Sequence, residues 1–429
     1  MMRALLFLLV AALLAATAQA DTIAVTNARV VTMGKSGEIA SGTIVIRAGR
    51  IAAVGANVAV PRDARVIDAK GRIVTPGIFV AGTNLGAVEV DLEKSANDGA
   101  TSSRTLSAAF DVHYGIDPAS IAIPIARLGG VTHALVTPGY ADAEGRELLF
   151  AGQAAIVRLA DGRDPVLRLR AAMVLELGEG GAARAGGARG SSIPALEADL
   201  ADVRWYMRNP GRYNTGSSRD LRLSLSDLKA LVPVVHKRMP LIVGVHRAAD
   251  IRGVLKLARA HGLRIVLAGA EEGWMVAADI AKARVPVILS ATANLPASFE
   301  SLGATMENAA RLHAAGVTIA FSNGDDGHRI REVRYDAGNA VAHGLPYKAA
   351  LEAITINPAR IFGMGASSGS IERGKSADLV VWSGDPLEPM TQAEAVIIEG
   401  REQPLDTRAR DLARRYKDLG GPLPPAYKQ

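Results

Sequence analysis

The sequence predicts an α/β protein: a TIM-like (β/α)8 barrel beside a small composite β-sandwich built from both chain ends. Three observations predict it. Short β-rich runs broken by glycine turns fill residues 21–77. From residue 78, apolar runs alternate with helix-patterned stretches, as strands and helices do in a parallel sheet buried on both faces. β texture then returns before a charged tail. The expected order is a signal peptide (1–20), the N-terminal part of the sandwich (21–77), the barrel (78–364), the C-terminal part of the sandwich (365–402) and the tail (403–429).

The chain begins MMRALLFLLVAALLAATAQA. Arg3 precedes an apolar run that ends in Ala18-Gln19-Ala20, the pattern of a secretory signal cut after Ala20. The run is short for a membrane span, which takes ~20 residues. The expectation is therefore a secreted or periplasmic protein with no integral membrane span after processing. The sequence has 0 Cys, so an exported fold must rest on its packed core rather than on disulfides. The net charge of +6 comes from basic residues scattered among 43 acidic ones, a solvated basic surface and not a nucleic-acid footprint.

In the first segment, TIAVTNARVVTM, GTIVIRAGRIAAVG and ARVIDAKGRIVTPG are strand runs, with Ala48-Gly49 and Lys70-Gly71 at hairpin positions. In the barrel, strands are expected at 131–139, 167–178, 239–246, 263–270, 285–292 and 317–324. Helices lie between them, two ending at Gly262 and Gly316. Residues 177–192, LGEGGAARAGGARGSS, read as a mobile insertion or a lid. Asn357-Pro358 starts a helix, and ADLVVW returns to the sandwich. The tail TRARDLARRYKDL reads as a solvated helix.

Three features carry a resemblance: two stretches and, between them, the six strand-and-helix units that fit the family's barrel. VIRAGRIAAVG…ARVIDAKGRIVTPG resembles the N-terminal sandwich of the amidohydrolase superfamily, in its imidazolonepropionase-like branch. ITINPARIFGMGASSGSIERGKSADLVVWSGDPL resembles that family's C-terminal signature. The resemblance spans roughly residues 22–402. It implies hydrolysis of non-peptide C–N bonds, such as a cyclic amide, an amidine or a small amide, by a metal centre at the C-terminal end of the barrel. Such a centre takes His-x-His from strand one, a carboxylated Lys or Glu from strand four, one His each from strands five and six, and an Asp from strand eight. The metal supplies hydroxide and polarises the scissile carbonyl.

Most of those positions hold other residues. After Pro76-Gly77, the His-x-His positions are Gly82 and Asn84, and the small Gly82 suggests open space there. Strand four has no Lys, since none lies between Lys94 and Lys229; Glu176 or Glu179 can stand in. Strand five keeps His246 as the one metal-ligand candidate. Strand six places Gly269 or Ala270 at the His position, followed by Glu271 and Glu272. Strand eight places Asn323 where the Asp belongs, and an amide cannot take a proton from water as a carboxylate can. Asp325 and His328 follow.

Two functions compete. The first is a pseudoenzyme, a barrel that binds a small molecule or pairs with an active paralogue as a hetero-oligomer, or with itself as a homo-oligomer. The second is a hydrolase with an altered centre, in which His246, Glu271 or Glu272, Asp325 and His328 hold one divalent, Zn-like ion or act as acid and base without one.

Overall fold

The computed structural model describes residues 22–141, 148–162, 164–215, 217, 219–293, 295–322 and 326–417. The expected signal peptide, the end of the tail, Asn323 and Asp325 lie outside the described residues.

Alternating burial sorts the first strands onto one sheet. In β1 (Ile23–Val31), β2 (Glu38–Arg47) and β3 (Arg50–Gly55), Ile23, Val25, Ile44, Ile46 and Ile51 pack into one core. β1 pairs antiparallel with β2. Its first half pairs parallel with β4 (Arg65–Asp68) and its second half with β5 (Ile73–Pro76). Asn27, at φ 52°, stands where the partner changes.

β6 to β13 are Ile78–Thr83, Val131–Val136, Phe150–Arg158, Val166–Glu176, Leu241–Val245, Ile265–Gly269, Val287–Leu289 and Ile319–Phe321. They pair in chain order as one eight-stranded sheet, and its first and last strands lie side by side in a near-closed barrel. Phe79, Leu135, Ile242, Val266, Ile288 and Ala320 fill the interior together with Phe362. The alternate residues Val80, Ala134, Leu175 and Val243 face the surrounding helices. Burial on both faces explains the nearly unbroken apolar runs.

β8 was not expected, and it departs from the βα repeat. It runs antiparallel to both β7 and β9. Residues 159–165 link it to β9, too few for the crossover of a dozen or more residues that a parallel pair requires.

The chain ends meet across β14 (Leu379–Trp382), which pairs antiparallel with β5 and with β15 (Ala393–Ile398); β16 (Arg401–Glu402) completes the edge. The composite unit expected as a sandwich is thus one mixed eight-stranded sheet. Trp382 locks it to the barrel. Within the sheet its indole Nε1 donates to Thr75 Oγ1 of β5 at 2.8 Å, which fixes the ring's orientation. Its ring also lies over Gly130, where a Cβ would fall 2.3 Å from Cη2. Arg334, buried on the helix Val333–Ala342, donates to the carbonyls of Pro386, Glu388, Pro389 and Thr391, binding that helix to the loop after β14.

The helix Ala248–His261 ends at Gly262 in the left-handed conformation, as its sequence predicts. The segment 177–192, expected as a loop, is largely helical: Glu179–Arg184 is one helix and Arg189 begins another that runs to Arg208. Two contacts order it. Gly181 packs so closely that a Cβ would lie 2.2 Å from the Glu176 carbonyl oxygen. Arg189 forms ion pairs with Glu179, Asp250 and Glu300. The tail forms the helix Arg408–Lys417, with no buried residue.

Candidate functional site at the barrel mouth

Strand ends β9, β10 and β11 put their last residues at one end of the barrel, where the active sites of such folds are built. Glu176 ends β9, His246 follows β10, and Glu271 follows the turn after β11. His246 Nδ1 lies 2.6 Å from Glu271 Oε2. Its Nε2 faces Glu176 Oε1 at 3.8 Å and Glu300 Oε1 at 3.7 Å. Three carboxylates therefore surround one imidazole.

Glycines make the space. A Cβ on Gly244 would fall 1.9 Å from Glu176 Oε2. On Gly178 it would meet Glu300 Oε2 at 2.7 Å, and on Gly269 the His246 ring at 2.5 Å. Gly269 has φ 82°, a conformation that also disfavours any L side chain.

Glu176 and Glu300 are also tied to the backbone or to a cation. Glu176 Oε1 accepts from the Gly178 amide at 2.8 Å. Glu300 Oε2 accepts from the Glu179 amide at 2.7 Å and from Arg189 at 3.0 Å. Burial by itself would lower the His246 pKa, but the Glu271 hydrogen bond and the charges of Glu271, Glu176 and Glu300 outweigh it and raise the ring to about 9. The ring is thus an imidazolium at neutral pH: a hydrogen-bond donor and an acid, not a base. Burial pushes the Glu176 carboxyl up from its ordinary value, although His246 opposes this.

The other sequence candidates go elsewhere. Glu272 is buried and turned away: it accepts from the Ala248 amide at 2.9 Å and the Gly303 amide at 3.0 Å, fixing a helix start and a loop. Glu179 contributes its amide to Glu300 and a distant ion pair to Arg189. His328 is tied by Nε2 to the Glu89 carbonyl at 2.8 Å. Glu300 escaped the sequence reading because it lies in the loop after β12, a strand from which the family takes no metal ligand. Nothing in SFESL marks it.

The strand-one end is not open space. Ser322 Oγ, just past β13, donates to the Gly82 carbonyl at 2.8 Å, and a Cβ on Gly82 would meet that hydroxyl at 3.1 Å. Asn84 Oδ1 accepts from the Gly327 amide at 2.6 Å. These hydrogen bonds tie the ends of the first and last strands together and engage both positions of the family's strand-one pair.

The donor set does not fit the family's two-metal centre. Gly82 and Gly269 have no donor atom, and Asn84 is committed to backbone. The separations of Nε2 from its two facing carboxylates exceed the ~3.3 Å between two donors on a tetrahedral ion with ~2.0 Å bonds. Among the described residues, no three His, Asp or Glu side chains are placed to hold an ion.

Comparison with known proteins agrees with the fold and the C-terminal signature. The amidohydrolase family model matches residues 234–403. An amidohydrolase from Thermotoga maritima MSB8 superposes with a TM-score of 0.79 at 26% identity, covering 89% of this chain and 99% of that one. The imidazolonepropionase of Symbiobacterium thermophilum is 27% identical over 402 residues, 80% of this chain and 84% of that one. Amidohydrolase tasK of Hapsidospora irregularis is 25% identical over 376 residues, 80% of this chain, which spans 38% of the length of that protein. The chain belongs to the amidohydrolase superfamily, with distant homology to imidazolonepropionase.

Proposed function

We propose that this protein is an exported, small-molecule-binding member of the superfamily whose two-metal hydrolytic centre has been replaced. The observation that carries the reading is the packing of His246 on Gly269. The ring of the one remaining family histidine fills the volume a strand-six histidine would need. The replacement is therefore built into the packing and is more than the absence of a ligand. The mouth offers carboxylate acceptors beside an imidazolium, which suits a small ligand rich in N–H groups: an amide, an amidine or a cyclic ureide. Export rests on the N-terminal apolar run ending at Ala20. No helix among the described residues is long and apolar enough to cross a membrane.

A second reading, hydrolysis of a non-peptide C–N bond, is supported by the family and by the His246–Glu271 pair. The imidazolium can protonate a leaving amine. That chemistry runs without metal; the alternative within this reading is a single Zn-like ion, which would need the ring in its neutral form.

Metal analysis of protein purified without chelator tests the choice, together with turnover of dihydropyrimidine, hydantoin and dipeptide panels. The proposal expects substoichiometric metal and no turnover that depends on His246. Stoichiometric metal, or turnover abolished in His246→Ala, would establish the second reading instead. Sequencing the exported protein should find Asp21 as its first residue.

A further inference from the structure

A cavity lies at the end of the barrel opposite the mouth. β8 ends at Arg158, which pairs with His133 at the start of β7. Asp161 lies in the turn beyond, at the end where the parallel strands begin, whereas His246 follows the far end of β10. The cavity has a volume of about 270 Å³. It lies between the helix Ala122–Leu128, this turn, and the start of the helix Arg408–Lys417.

Its lining combines an apolar wall with a positive one. Ile121, Ile123 and Pro124 form the first; Arg127 and Arg408 belong to the second. Arg127 is 3% exposed, an unusual place for a guanidinium. It donates to Gln403 Oε1 at 3.3 Å and to Asp161 Oδ1 at 3.1 Å. Its Nε is buried with no hydrogen-bond partner. An unpaired buried donor on a charged group costs stability unless something accepts from it. Asp161, whose side chain is 58% exposed, is a weak counterion for a buried cation. With Arg408 included, the cavity carries two positive charges against one negative. The first amides of the Arg408–Lys417 helix add to the same sign.

We propose that this cavity is a binding site for a small organic anion, a carboxylate on a compact apolar body. The carboxylate pairs with Arg127 and Arg408, and the body rests on Ile121, Ile123 and Pro124. The volume lies below the ~300–1,000 Å³ of sites for drug-sized ligands, so the ligand is small. The site is separate from the mouth and does not depend on what the mouth does.

Benzoate is a suitable probe, with benzamide as its neutral isostere and inorganic phosphate as an anion without an apolar body. Thermal unfolding of the full chain should shift upward with benzoate concentration and not with benzamide or phosphate. Arg408→Ala, at an exposed position, should weaken benzoate about 10-fold, the loss of one charge-assisted hydrogen bond. Ile121→Trp, which fills the cavity from its exposed wall, should abolish the shift while leaving the unliganded protein folded. Three results would each overturn the proposal: no shift with benzoate at tens of millimolar, an equal shift with benzamide or phosphate, or a benzoate shift that survives in Ile121→Trp.

Discussion

His246 Nδ1 lies 2.6 Å from Glu271 Oε2, and this contact favours the protonated form of the ring. A ring that would ordinarily be mostly neutral at pH 7 is held protonated there. That inverts the role a histidine plays as a metal ligand, which requires the neutral form.

The first prediction concerns pH and stability. The folded-state pKa of His246 is raised from 6.5 to about 9. Its stabilising contribution is therefore complete below about pH 6.5 and is lost as pH rises through about 9. The shift corresponds to roughly 3 kcal/mol as a ceiling. Urea unfolding of the native protein and of His246→Asn at pH 6, 7.5 and 9.5 should show the native advantage shrinking across that window. An advantage that stays constant would refute it.

The carboxylates should not contribute equally. Glu271 holds the ring by a hydrogen bond, whereas Glu300 acts through charge at 3.7 Å. NMR titration of the imidazole should give a large fall in midpoint for Glu271→Gln and a smaller one for Glu300→Gln. The reverse order would mean that the ring is held from its Nε2 side.

Gly269→Ala tests the packing behind the proposed function. It combines φ 82° with a Cβ 2.5 Å from the ring, and should cost roughly 2–4 kcal/mol. Gly82→Ala meets only a hydroxyl at 3.1 Å at an ordinary φ, and should cost less than about 1.5 kcal/mol. Denaturant midpoints of the two variants check the order. Equal costs would show that His246 moves aside freely.

Arg334→Met should destabilise the protein by about 3 kcal/mol, because four carbonyls lose a buried guanidinium donor. Arg334→Lys should recover only part of that, since an ammonium cannot reproduce the planar fork. Full rescue by Lys would show that charge alone matters at this position.

The sequence conveyed the architecture through periodicity. VTHALV and LIVGV are apolar throughout because both faces of a barrel strand are buried, and that signal is local. It did not convey β8, whose direction follows from the length of its connection to β9. It also misread residues 177–192, where ion pairs from Asp250 and Glu300 fix Arg189 and order a glycine-rich stretch.

At the site, the sequence by itself determined which side chains are available. Glycine at 82 and 269, an amide at 84 and one histidine at 246 are facts of composition at known strand ends. Only the tertiary structure decided what these residues do instead. It brings Ser322 and Gly327 to the strand-one end, sets the His246 ring on Gly269, and recruits Glu300 from a loop with no motif. The reason is physical. Residue type fixes what an atom can donate or accept. The partner it meets depends on barrel closure, which joins segments far apart in the chain: Ser322 to Gly82, Glu300 to Glu179.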